Sequence, residues 1–76
     1  MRAYKDRGGN RFITAYETGP DYISIRFMDG TQYRYTWKSA GALNVERMKW
    51  LAVTGDNLKD YMDRYRVGNR YAQIEA

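Results

Sequence analysis

The chain has 76 residues, a formal charge of +4 from thirteen Lys and Arg against nine Asp and Glu, and neither cysteine nor histidine. That length makes one domain with a single small core. Without those two residues, disulfides, thiol nucleophiles, Cys/His zinc sites and imidazole acid–base chemistry fall away. No apolar run approaches the roughly 20 residues of a membrane-spanning helix. The expectation is a non-catalytic cytoplasmic protein with no cofactor, no metal and no membrane contact.

Residues 1–10, MRAYKDRGGN, have no hydrophobic period, two adjacent glycines and several charges, and read as a flexible basic arm ahead of a single domain over 11–76. Arg11–Thr18 alternates Ile13 and Ala15 with Phe12, Thr14 and Tyr16, the pattern of a strand. Gly19-Pro20-Asp21 turns the chain. A three-residue turn joining Thr18 to Tyr22 would face Ala15 to Ile25 and Ile13 to Phe27.

Tyr22–Trp37, YISIRFMDGTQYRYTW, is a hairpin, with Ile23, Ile25 and Phe27 on one face of the first strand and Tyr33, Tyr35 and Trp37 spaced the same way along the second. The apolar rows must share a face, so the register is restricted. A three-residue loop of Asp29, Gly30 and Thr31 predicts the pairs Phe27–Tyr33, Ile25–Tyr35 and Ile23–Trp37.

Lys38–Gly41 reads as a break in which Ser39 caps a short turn. Asn44 is the predicted cap of a helix whose apolar face is Val45, Met48, Leu51 and Ala52, with Trp50 at its border and Gly55 as the residue just past its end. Asp56 is the predicted cap of a second helix carrying Leu58, Tyr61, Met62 and Tyr65 at i, i+3, i+4 and i+7. Val67–Ala76 stays open between an edge strand and a loose tail. The fold class is therefore α+β, a three-stranded antiparallel β-meander followed by two short helices packed on one face.

The other face would carry Phe12, Tyr16, Tyr22, Arg26, Met28 and Arg34 among Thr, Ser and Gln. The predicted register sets Arg26 opposite Arg34, a like-charge pair that is unfavourable by a few tenths to about 1 kcal/mol. An anion resolves that conflict. Arginines taking phosphate while Phe12, Tyr16 and Tyr22 stack on bases make a nucleic-acid surface, RNA in preference to DNA, with Arg64 and Arg66 of the second helix region in support. The competing readings are guanidiniums splayed into water, stacked over neighbouring aromatics or paired with Glu17 or Asp21, and a face that binds a protein partner or a second copy, since aromatics and arginine are also enriched at interfaces. Asp56, Asp60 and Asp63 are better explained by capping and solvation than by a metal. Ser39 and Thr54 have no base to activate them.

The order Ile13…Tyr16-Glu17, Ile23-x-Ile25-x-Phe27, Gly30-Thr31-Gln32-Tyr33-Arg34-Tyr35 and Ala52-Val53-Thr54-Gly55 is similar to the KTSC domain, found at the C-terminus of some lysyl-tRNA synthetases and as stand-alone bacterial or phage proteins. The resemblance covers residues 11–71. This chain has Thr36-Trp37-Lys38-Ser39 where the family has an early Val-Pro, and Asp56-Asn57-Leu58 where it has an aromatic-Asn pair. The resemblance implies RNA binding, with Tyr33 and Tyr35 as framework residues.

Overall fold

The structure, a computed structural model, describes residues 1–75. Its elements are β1 (Arg2–Ala3), β2 (Ile13–Thr18), β3 (Tyr22–Phe27), β4 (Gln32–Thr36), α1 (Trp37–Ala40), α2 (Ala42–Thr54), α3 (Leu58–Arg64) and β5 (Gln73–Glu75). The strands form one antiparallel sheet in the order β1-β2-β3-β4-β5. The α+β class and the central meander are as expected. Each edge gains a short strand, one from the segment read as a free arm and one from the segment left open. No helix among the described residues is long and apolar enough to cross a membrane.

The hairpin register differs from the expected one by two residues: Ile25 pairs with Tyr33, Ile23 with Tyr35, Ser24 with Arg34 and Arg26 with Gln32. The loop is Met28-Asp29-Gly30, closed by Phe27 N–H donating to Thr31 O at 2.8 Å. A type I turn followed by a left-handed residue requires its glycine last, and Gly30 has φ +89°. Asp29 Oδ1 fixes the corner by accepting from Thr31 N at 2.9 Å. A shift of two leaves every side chain on its expected face. Trp37 leaves the sheet to begin α1, so it has no strand partner.

The β2–β3 register departs by one residue, and here faces change. The turn closes on Pro20-Asp21, with Gly19 N–H donating to Tyr22 O at 3.0 Å, so Tyr16 pairs with Ile25 and Thr18 with Ile23. A register irregularity between Ile13 and Ala15 then restores Ile13 opposite Phe27. A bulge of this kind turns one segment of a strand over relative to the rest. Tyr16 therefore joins the core, only 5 % exposed, and Ala15 and Glu17 face outward.

The helices cover the inner face. Thr36 caps α1 in a reciprocal arrangement with Ser39. α2 starts three residues earlier than the Asn44 cap predicted, because Gly41 at φ +96° takes the cap position. Asn44 instead bridges, Nδ2 donating to Ala40 O at 2.8 Å and Oδ1 accepting from Tyr61 Oη at 2.7 Å. α2 ends at Gly55 as expected, and α3 begins after Asn57 rather than Asp56. Ile23, Ile25, Tyr35, Val45, Met48, Leu58 and Val67 are fully buried between the layers. Tyr35 Oη donates to Gly68 O at 2.7 Å, anchoring the chain beyond α3.

Two carboxylates tie down the ends. Asp6 Oδ1 accepts from Tyr4 Oη (2.8 Å) and Asn57 N (3.1 Å), and its Oδ2 from Gly8 N (2.9 Å) and Asn10 N (3.1 Å). Tyr4, itself buried, accepts from Leu58 N at 3.0 Å, and burial pushes its hydroxyl up to about 12. Within residues 1–10, read from the sequence as a flexible arm, Arg2 and Ala3 thus pair with β2, Tyr4 and Asp6 meet the start of α3, and Arg7 N donates to Gly55 O. Glu75 ties down β5 through Arg34 Nη2 (3.0 Å) and Gln32 Nε2 (3.1 Å).

For both carboxylates desolvation raises the pKa, but the hydrogen bonds outweigh it, joined at Glu75 by the Arg34 charge, and hold each below its ordinary value. Their stabilisation is therefore present above the ordinary carboxylate pKa of about 4 and lost as pH falls through the lower folded values. Acidification from about pH 5 to about pH 3 is expected to release the two ends first. Amide exchange checks this: Leu58 and the β4–β5 pairs should lose protection before Ile25. Simultaneous loss everywhere would show that the carboxylates are not the clamps.

Candidate functional site

The expected nucleic-acid face is only partly assembled. Arg26 and Arg34 both project from the uncovered side of the sheet, but Gln32 and Ser24 stand across from them, so the like-charge pair does not form. Arg26 Nη2 donates to Gln32 Oε1 at 3.2 Å. Arg34 is engaged on three sides: its guanidinium carbon lies 3.9 Å from the Tyr22 ring centroid, Nε donates to Ser24 Oγ at 3.3 Å, and Nη2 meets Glu75 at 3.0 Å. The anion that meets Arg34 is the carboxylate of Glu75.

The stacking residues scatter. Tyr16 is in the core, edge-on to Tyr4 at 6.5 Å. Tyr22 is covered by Arg34. Phe12 is exposed but precedes β2 and lies toward α3, with Lys59 Nζ 5.5 Å from its ring. Arg64 closes α3, and Arg66 follows it in a left-handed conformation at φ +55°. Among the described residues of the strands, the outer face carries Arg26 and Arg34 against Glu17 and Glu75, with no formal charge excess.

A second arrangement lies on the helical side of the molecule. Between α2 and α3 lies an open groove of 580 Å³. Its apolar lining is Trp50, Leu51, Tyr61 and Tyr65, with the Tyr61 and Tyr65 rings 4.6 Å apart. Arg47 and Arg64 contribute cations to it, and Glu46, Asp56 and Asp60 carboxylates. Trp50 is 68 % exposed and Tyr65 51 %. Glu46 lies below the ordinary carboxylate range because Lys49 and the Trp37 indole N–H donate to it, at 2.8 and 3.0 Å.

The groove is not legible from the core stripe of α2, at whose border Trp50 falls. A second apolar line runs along the opposite side of the helix. Leu43 and Trp50, seven residues apart, share one direction on a 3.6-residue repeat and are both well exposed. An apolar residue pair directly opposite a core stripe was the available signal. Comparison of the chain with protein-family models, with curated proteins and with solved structures found no match.

Proposed function

We propose that this chain is a small, non-catalytic docking domain of the cytoplasm that holds a segment of a protein partner in the groove between α2 and α3. The observation that carries this is the exposed Trp50 in an open groove beside Leu51, Tyr61 and Tyr65. Trp, Tyr and Arg are the side chains that contribute most at protein interfaces. Three carboxylates in the same groove oppose a polyanion, whose binding rests on neutralised phosphates.

A second reading, RNA binding, is favoured by a different flank. The docked N-terminal segment brings Lys5, Arg7 and Arg11 to the side of the molecule where Lys59 lies over Phe12. The KTSC resemblance implies the same role. One set of measurements on the immobilised protein separates the two. Random displayed peptides should yield binders that Trp50→Ser/Tyr65→Ser loses, while labelled single-stranded RNA should show no salt-sensitive binding. Selection that fails, or that ignores both substitutions, rejects the groove. RNA binding that falls by about one log unit per log unit of salt for each phosphate neutralised would favour the flank.

A further inference from the structure

We propose that the partner received by this surface is a second copy of the chain, joined through α2 about a two-fold axis; this rests on the docking reading above. The outward line of α2 is Leu43, Glu46, Arg47 and Trp50. Its spacing is palindromic. When two such helices cross antiparallel with the axis between Glu46 and Arg47, each Leu43 lies on the partner's Trp50, and each Glu46 faces the partner's Arg47. A two-fold interface needs a patch complementary to itself, and this line is complementary in both apolar contact and charge.

The monomer leaves these groups open to such a contact. Leu43 and Trp50 are 65 % and 68 % exposed, at opposite ends of the line. Glu46 uses Oε2 for both Lys49 and Trp37. No salt bridge engages Arg47 among the described residues. Leu43 brought onto Trp50 would cover the rim of the groove, so that the indole of each copy is enclosed on both sides. The same residues at other spacings would set Glu46 on Glu46 or Arg47 on Arg47, which like-charge repulsion disfavours.

Sedimentation or light-scattering mass of the full chain, from micromolar to millimolar, tests this. The wild type is expected to dimerise with rising concentration, with tryptophan emission shifting to shorter wavelength. Glu46→Arg or Arg47→Glu alone should weaken the dimer roughly tenfold or more, and an equimolar mixture of the two should restore it, because every contact in the mixed pair is again between opposite charges. Trp50→Ser should abolish it, and circular dichroism confirms that each variant is folded. A wild type that stays monomeric, a dimer indifferent to both reversals, or a mixture that stays monomeric would each overturn self-pairing. A monomer that still selects peptides through Trp50 rejects self-pairing alone; one that selects none rejects the docking reading as well.

Discussion

Tyr35→Ala is expected to lower the free energy of unfolding by about 3–5 kcal/mol, the range for removing a large buried aromatic. A chain of this length holds about 4–11 kcal/mol in total, so the variant loses a large share of that stability and at the lower end of the range is close to unfolded at room temperature. Tyr35 is fully buried on the sheet's inner face and stands edge-on to Tyr71 at 6.5 Å. Its hydroxyl carries the 2.7 Å bond to Gly68 O. Burial, with smaller effects from Tyr33 and Tyr71, raises its pKa above the ordinary phenol value. Tyr35→Phe separates packing from hydrogen bonding and should cost only about 1–2 kcal/mol. Urea unfolding followed by circular dichroism measures both. A loss under about 1 kcal/mol for the alanine variant would mean that the core closes over the space.

Gly55→Ala is expected to release the N-terminal segment. Gly55 sits at φ +72°, and a Cβ built there would lie 2.1 Å from the carbonyl oxygen of Lys5. The left-handed conformation alone costs an alanine about 1–2 kcal/mol. The clash is with backbone, so it is relieved only by moving the segment that carries Lys5. That breaks the 2.7 Å bond from Arg7 N to Gly55 O and loosens Asp6 and Tyr4 from the start of α3. Gly9→Ala is the control, since φ is +81° but nothing lies within 4 Å of its Cβ. Amide exchange at Asn57 and Leu58 should accelerate strongly in the first variant and little in the second. Equal effects would assign the whole cost to conformation and none to the contact.

These two glycine sites mark a general division. The period-two rows of the hairpin, the core stripe of α2 and the glycine that ends it were legible because each depends on residues within a few positions of one another. The identity of the buried tyrosines was legible only where the register allowed it: Tyr35 survived a two-residue shift, whereas Tyr16 was turned inward by a one-residue one. A pattern of alternating apolar residues on both faces of β2 is compatible with either facing, and the bulge near Thr14 selects between them.

From its own residues the chain determines an α+β meander with helices on one side, no cysteine or histidine chemistry, and which face of the hairpin is apolar. Only the tertiary structure decides that Tyr4 and Asp6 are held at the start of α3, that Glu75 neutralises Arg34, and that Trp50 stands in an open groove with Leu51, Tyr61 and Tyr65. The physical reason is range. Side-chain periodicity is a local steric property, while the bonds from Asn57 to Asp6, from Leu58 to Tyr4 and between Gln32 and Glu75 join groups 51, 54 and 43 residues apart. Such contacts form because folding brings together donors and acceptors that would otherwise be left partly desolvated and unpaired.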